Sequence, residues 1–430
     1  MELVADAKLL AMAVGVACFL VAVCLLKPIV NLLFRKKNYP PVAGTIFHQL
    51  LNLHRLPDFQ TDLSRRYKTF RILAPFFNYV YTVDPINIEY ILKTNFANFG
   101  KGHIVNDIMK DLLGNGIFTV DGDMWRHQRK VSSLEFSTKV LRDYSSHVFR
   151  SNAIKLSVLI SEAANSSKII DIQNLFMRST MDSIFKVGFG VELDTLGGSN
   201  KEGSIFAKAF DDSSSQTLRR FFDVFWKISR ALNIGLEAQL RKNRKLIDEF
   251  VYKVINEKIE QLSQKKDDAL LKEDILSRLL MERERDPETI SYQYLRDIVL
   301  NFLLAGRDTT ADDTLPDGFD LKEGDLVNYQ PFPMGRMKFL WGDDAEVFRP
   351  DRWLNNDGLF VAESPFKFPA FQAGPRICLG KDFAYRQMKI FAATLLYYFK
   401  FEISADQIVN YRSMLTLQID GELHLRALCR

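Results

Sequence analysis

The ten residues Phe371-Gln-Ala-Gly374-Pro-Arg376-Ile-Cys378-Leu-Gly380 constrain this chain more than any other stretch. They set one cysteine, one basic residue and two glycines in a short loop before a helix-forming run from Lys381 (Phe383-Ala384-Tyr385-Arg386). Glycine permits backbone turns that other residues resist, so Gly374 and Gly380 are expected to fold the loop around the sulfur. A helix starting there brings backbone N–H groups toward Cys378 and favours its thiolate. A buried free cysteine is usually inert packing. A lone thiolate at a helix start is instead a ligand for iron.

Around this loop the chain is ordinary globular material. Its 430 residues are 47% hydrophobic, enough for a large core. The net charge of +4 comes from scattered, nearly balanced charges and does not point to nucleic acid. Four cysteines (Cys18, Cys24, Cys378 and Cys429) form no disulfide framework, which predicts a reducing compartment for the folded part. Leu9 to Leu26 is an uncharged run of 18 residues, the length of a membrane-spanning helix. Lys27, Arg35, Lys36 and Lys37 follow it, so the bulk of the chain is expected on the cytosolic side. The run is longer than the core of a cleaved signal peptide. Residues 1–26 thus read as an anchor. Residues 27–45, with Tyr39-Pro40-Pro41-Val42-Ala43-Gly44, read as a basic, proline-rich hinge, and 46–430 as the folded domain.

Within that domain, Phe70–Leu73 and Tyr79–Val83 predict a hairpin turning at Pro75 to Asn78. Asp84-Pro85 predicts a helix start with Asp84 as its cap. Ile247, Val251, Val254, Ile255, Ile259 and Leu262 recur at helical spacing, and Ser263 to Asp268 reads as an exposed loop. Ser291 opens a helix whose apolar run reaches Leu304. Leu315-Pro-Asp-Gly318-Phe319 is a turn between short strands. The pattern predicts a mainly α domain with a minor β-sheet.

Three further motifs accompany the cysteine loop. Trp125-Arg-His-Gln-Arg129 places Trp125 and Arg129 on one helix face, where an indole N–H and a guanidinium together suit a carboxylate; the bland alternative is a solvated basic helix. His127 between them reads as an ordinary surface or core histidine. Ala305-Gly306-Arg307-Asp308-Thr309-Thr310 interrupts an apolar helix with a glycine, an acid and hydroxyls, at about 1 kcal/mol for the glycine alone; the bland alternative is a capped helix end. Phe348-Arg-Pro350-Asp351-Arg352-Trp353 is a charged turn shortly before the cysteine loop.

Taken together, these motifs resemble cytochrome P450, the haem-thiolate monooxygenase family. The resemblance implies the cytochrome P450 fold and haem b (iron-protoporphyrin IX) as cofactor. It implies Cys378 as axial ligand of the haem iron, with Phe371 near the sulfur, Gly374 and Gly380 shaping the loop, and Arg376, Trp125 and Arg129 on the haem propionates. A thiolate ligand pushes electron density onto the iron and favours O–O cleavage. In the same way, Gly306 would leave space over the iron, Thr309 would hold a water or bound oxygen, and Asp308 would relay protons. Arg352 would complete a buried triad with a Glu and an Arg from a Glu-x-x-Arg helix.

That helix has no counterpart between the two motifs it should separate. Only Ala311 to Arg349 is available, and Asp312-Asp313-Thr-Leu-Pro316 with the turn residues forbids a long helix. Glu282-Arg-Glu-Arg285 has the spelling but lies upstream, in a charged run that reads as a solvated face. An internal deletion near 311–312 is therefore expected. It predicts that Arg352 loses both partners, at roughly 3–5 kcal/mol, that apolar surface is left uncovered, and that haem binding is weak.

Asp111-Leu-Leu-Gly-Asn-Gly116-Ile-Phe-Thr-Val-Asp-Gly122-Asp-Met-Trp125, Glu135-Phe136-Ser137, Asn328-Tyr329 and Met334-Gly335-Arg336-Met337 resemble the plant fatty-acid ω-hydroxylase branch. This implies hydroxylation of a long-chain fatty acid at its methyl end at the endoplasmic reticulum membrane. Ile104 to Phe118 is either channel lining or, residue by residue, plain core. The chain has no flavin or dinucleotide glycine loop, so O2 chemistry needs electrons from outside, in the family from NADPH-cytochrome P450 reductase. Arg126, Lys130, Lys381 and Lys389 offer a basic face for such a partner, or are plain solvated surface. The competing readings are a catalytically inactive, membrane-anchored relative and, ranked below it, a haem-free lipid carrier.

Overall fold

In the computed structural model the described residues are 38–75, 77–137, 139–198, 200–264, 274–302, 313–404 and 407–430. They divide into two compact units, one from the chain up to Gly102 together with Arg307–Ile377, the other from His103–Gly306 and Cys378–Arg430.

The first unit is built on the predicted hairpin. Thr69–Leu73 and Asn78–Thr82 pair antiparallel, with Phe70 opposite Tyr81 and their rings stacked at 5.4 Å. Every residue of both strands is buried, so their dense apolar and aromatic content covers two faces rather than one. Val42–Thr45 and Leu326–Tyr329 extend them, each in parallel, to a four-stranded sheet. The stretch Val42–Thr45, read from sequence as the end of a hinge, is thus an edge strand, and the Arg71 N–H donates to the Pro41 carbonyl just ahead of it. The helix Pro85–Glu89 starts as its sequence predicts, with the Asp84 side chain accepting from the Ile86 N–H. Asp313–Thr314 and Asp320–Leu321 pair around the Leu315–Phe319 turn, where Gly318 adopts φ +83°. A core of Val80, Val83, Ile88, Ile91, Val327 and Met334 packs beside the sheet.

Arg352 corrects an expectation. It is not stranded: Nη2 donates to the Asp344 and Val347 carbonyls at 2.9 and 3.1 Å, and the Asp344 carboxylate lies 3.5 Å away. A guanidinium presents five donors in a rigid fork, so backbone carbonyls of its own segment can satisfy it without the expected triad. Both triad partners are lost as expected, and hydrogen bonds to its own segment offset that loss.

The second unit is helical. Lys139–Asn165 packs against Lys381–Tyr398, with Phe149 and Phe383 edge-to-face at 4.7 Å, and against Ile172–Phe189. Lys201–Arg219 lies along Gly235–Gln264. The latter buries Ile247, Val251, Val254 and Ile255 as its periodicity predicts; Ile259 and Leu262 are half-buried. Ser263 and Gln264 belong to this helix, and 265–268 lie outside the described residues. Ser291 caps Tyr292–Phe302 by accepting from the Tyr294 N–H. Glu282 and Arg285 are exposed at the end of Ile275–Arg285, a solvated face as expected. The strands Ile169–Asp171, His424–Cys429 and Phe399–Ile403 form an antiparallel sheet in that order, and Asn410–Ser413 pairs with Leu417–Asp420. The mainly helical fold with a small sheet is as the sequence predicts. Among the described residues no helix is long and apolar enough to cross a membrane; the apolar run Leu9 to Leu26 lies outside them.

Candidate functional site

The cysteine loop is set by backbone geometry. Gly374 has φ +62°, and a Cβ there would stand 1.8 Å from the Leu92 carbonyl oxygen. Only glycine fits that close approach in that conformation. The turn Gly374–Arg376 closes with the Ile377 N–H on the Gly374 carbonyl. Upstream, Phe371 ends the turn Pro369–Phe371, and Gln372 follows with φ +63°. A left-handed non-glycine residue is strained by about 1–2 kcal/mol; the Tyr329 hydroxyl, donating to the Gln372 side chain, helps hold it. Nothing in the local sequence marks Gln372, because its partner is 43 positions away. Arg376 places its guanidinium 5.6 Å from the Phe96 ring, within cation–π range.

Cys378 belongs to the helical unit. Its thiol is half-buried just ahead of Lys381–Tyr398, whose first intrahelical bond runs from the Ala384 N–H to the Gly380 carbonyl. Gly380 has φ −82°, a conformation open to any residue, so the expectation that it must be glycine for its torsion is corrected. Burial pushes the Cys378 thiol above its ordinary range, partly opposed by the Gly380 N–H donating to the sulfur and by the charge of Arg129. The donors are arranged as the sequence predicts, but desolvation outweighs them, and a bound cation is what would make the thiolate the stable form.

Trp125 and Arg129 lie on Gly122–Ser137. Trp125 is buried and Arg129 half-buried, with buried Gln128 between them donating from Nε2 to the Asn115 carbonyl at 2.8 Å. Arg126 and His127 are exposed, Arg126 paired with Asp123 at the surface. The helix therefore turns Trp125 and Arg129 inward, and the solvated-helix alternative does not hold for them. Lys130 and Lys389 are also exposed, and Lys381 is half-buried. Gly306, Asp308 and Thr309 lie outside the described residues.

Two loop-positioning side chains escaped the sequence reading. Asp297 and Asn301 sit one turn apart on Tyr292–Phe302 and hold the loop before Trp125: Asp297 accepts from the Asn115 N–H, and Asn301 accepts from the Phe118 N–H and donates to the Leu113 carbonyl. Gly114 and Gly116 make room for them; a Cβ at either would overlap Asp297 or Asn301 at about 2 Å. An acid and an amide four apart in an apolar helix were the available signal. Val105, Ile108, Met109, Leu112 and Leu113 of the preceding helix are buried core.

A single sulfur that accepts an amide N–H and feels the positive charge of Arg129 is a donor suited to the iron of a haem-thiolate group. The sequence model of the family described as cytochrome P450 matches residues 39–312 and 311–423. The chain belongs to the cytochrome P450 family. Its relatives include cytochrome P450 704C1 of Pinus taeda, 43% identical over 479 residues that cover 90% of this chain and 92% of that protein. Cytochrome P450 704B1 of Arabidopsis thaliana is 37% identical over 493 residues, covering 90% and 94%. Cytochrome P450 CYP94D109 of Paris polyphylla is 34% identical, covering 81% and 84%. Cytochromes P450 are monooxygenases that use a haem-thiolate cofactor, O2 and a redox-partner reductase. The first two matches are longer than the 430-residue chain, so part of each relative faces no residue of it, and the two family matches meet at 311–312.

Proposed function

We propose that this cytochrome P450 hydroxylates a long-chain fatty acid, at the ω end, with haem b as cofactor and electrons from NADPH-cytochrome P450 reductase. The observation that carries the reading is Cys378 at the start of its helix, with the Gly380 N–H on its sulfur and Arg129 alongside. When bound, haem b supplies the oxidising chemistry: one atom of O2 enters a C–H bond and the other leaves as water, at the expense of two electrons. The chain's own residues bind and orient. Cys378 would hold the iron, and the Gly380 N–H and the Arg129 charge would favour its thiolate against the burial that opposes it. By family resemblance Trp125 would donate its indole N–H to a haem propionate, and Arg129 and Arg376 would each offset propionate charge. Gly374 keeps the loop close to the Leu92 carbonyl. By family resemblance Thr309 would hold a water, Asp308 would pass it protons from solvent, and Gly306 would leave room for oxygen. The fatty-acid assignment rests on the ω-hydroxylase-like segments at Asp111 to Trp125 and Asn328-Tyr329. Leu9 to Leu26 anchors the protein in the endoplasmic reticulum membrane with the domain in the cytosol.

A second reading, a catalytically inactive relative deleted near 311–312, is favoured by match lengths that exceed the chain. Exposed apolar side chains accord with it: Phe348 is 94% exposed and Tyr397 74%, with Met388 and Leu396 also exposed on Lys381–Tyr398. Turnover of palmitate with reductase and NADPH separates the two. Product formation that Cys378→Ala abolishes supports the first; a haem-loaded chain without product supports the second.

A further inference from the structure

Residues 338–368 carry an apolar surface that the chemistry at Cys378 leaves unused. Phe348 points almost wholly into solvent, Phe360, Leu359, Val347 and Val361 are each at least half exposed, and Leu354 and Phe368 are exposed as well. This surface is ordered rather than frayed. Leu354 faces Phe360 across a β-bridge, and the Val361 N–H donates to the Trp353 carbonyl at 2.8 Å. The Asn355 side chain closes the turn between them by accepting from the Asp357 and Leu359 N–H groups. Trp353 stacks on Phe360 at 6.4 Å and meets Phe368 edge-on at 5.0 Å. Arg352, beside Trp353, bonds the Val347 carbonyl and so draws Val347 and Phe348 to the same cluster.

Area and charge together select what covers it. Phe348, Phe360 and Phe368 are 94%, 70% and 37% exposed; at about 200 Å² for a whole aromatic side chain they leave about 400 Å² open to water. Val347, Leu354, Leu359 and Val361 add about 200 Å², at roughly 100 Å² for a whole aliphatic side chain. The sum, about 600 Å², is the upper end of what a monomer leaves exposed. Two copies joined through it would bury about 1,200 Å², the lower end of a specific interface. Because the hairpin is already ordered, little loop entropy is lost on pairing. Residues 338–368 hold six acids and four bases, a net charge of −2, which an anionic lipid surface repels. Both signs stand at the rim, with Lys338 and Arg349 exposed alongside Asp343 and Asp357. A two-fold pairing sets each of these against a different residue of the other copy, so a rim of both signs can complement itself. A partner of a single sign would be repelled by half of it.

We propose that residues 347–361 pair with the same residues of a second copy, making the full chain a weak two-fold dimer. The pairing is independent of turnover, since none of these residues holds haem or substrate in the function proposed above. Sedimentation equilibrium of the full chain in a density-matched non-ionic detergent, over a range of concentrations, tests it. The wild type passes reversibly from one chain to two, with a dissociation constant in the micromolar range. Phe348→Asp and Leu359→Asp each raise that constant at least about tenfold, because pairing would bury two unpaired carboxylates. Each variant keeps the wild-type melting temperature at a dilution where all three proteins are single chains, as substitutions at exposed positions do. A wild type that stays single at every concentration overturns the inference, as does a mass that grows past two chains, which a closed two-fold pairing forbids. A variant that pairs as tightly as the wild type also overturns it, the result expected if Leu9 to Leu26 joined the chains instead. So does a lowered melting temperature in both variants, since the two side chains would then belong to the fold.

Discussion

Replacing Gly374 with alanine probes the loop that presents Cys378. Two costs add. Its φ of +62° lies in the left-handed region, where a Cβ costs about 1–2 kcal/mol. That Cβ would also stand 1.8 Å from the Leu92 carbonyl oxygen, a backbone atom that cannot swing aside as a side chain would. Forcing the two segments apart is an overpacking cost of about 1–3 kcal/mol. Gly374→Ala should therefore destabilise its unit by about 2–5 kcal/mol. Gly318→Ala is the control in the same unit, because Gly318 has φ +83° and nothing within 4 Å of its would-be Cβ; it should lose only the conformational part, about 1–2 kcal/mol. Urea titrations of the two variants, followed by near-ultraviolet circular dichroism, measure the difference. With slopes of about 1–3 kcal/mol/M, the Gly374 midpoint should fall at least about 0.3 M below that of Gly318→Ala. Equal midpoints would refute the argument that close approach, rather than torsion alone, fixes this loop.

Other perturbations follow from the same geometry. Arg352→Ala should cost about 2–4 kcal/mol in a urea titration, since it strips a guanidinium from the Asp344 and Val347 carbonyls; Arg352→Lys should recover part of this, because one nitrogen makes both bonds and an ammonium also carries several donors. Arg220→Met should cost about 3–5 kcal/mol by the same assay, leaving the Glu237 carboxylate buried without its partner. Hydrogen bonds from Lys186 and Lys155 hold the Glu192 carboxyl below its ordinary value of 4.5. Its folded pKa is thus the lower one, so its contribution is complete above 4.5 and is lost as pH falls through the folded value. In thermal melts from neutral pH into that acid range, Glu192→Gln should lose stability less steeply than the wild type.

Much of this was legible in the sequence where the signal was local. The 69–82 hairpin, the Asp84 cap and the Gly235–Gln264 helix follow from turn residues, a capping side chain and a 3.6-residue period. The shared helix face of Trp125 and Arg129 followed from four-residue spacing, while its inward orientation came only with the packing around it. What was not legible depended on partners distant in sequence. Val42–Thr45 became a strand because Thr69–Leu73 offered an open edge, which a Pro-Pro-Val run does not announce. Arg352 was expected to be orphaned because the reasoning counted side-chain partners, whereas the protein supplied backbone carbonyls. For Cys378 the sequence showed the groups that favour a thiolate but not the burial that opposes them. Asp297 and Asn301 acquired a role only when Gly114 and Gly116 were brought against them.

The central claim is that the Cys378 sulfur binds haem iron. Its most direct measurement is the absorption spectrum of the reduced carbonyl complex, recorded for the wild-type chain and Cys378→Ala after reconstitution with hemin. A thiolate-type Soret band in the wild type, at less than one haem per chain because of the deletion near 311–312, and absent from Cys378→Ala, is the predicted result. A wild-type chain that takes up no hemin, or a thiolate-type band that survives loss of the sulfur, would contradict it.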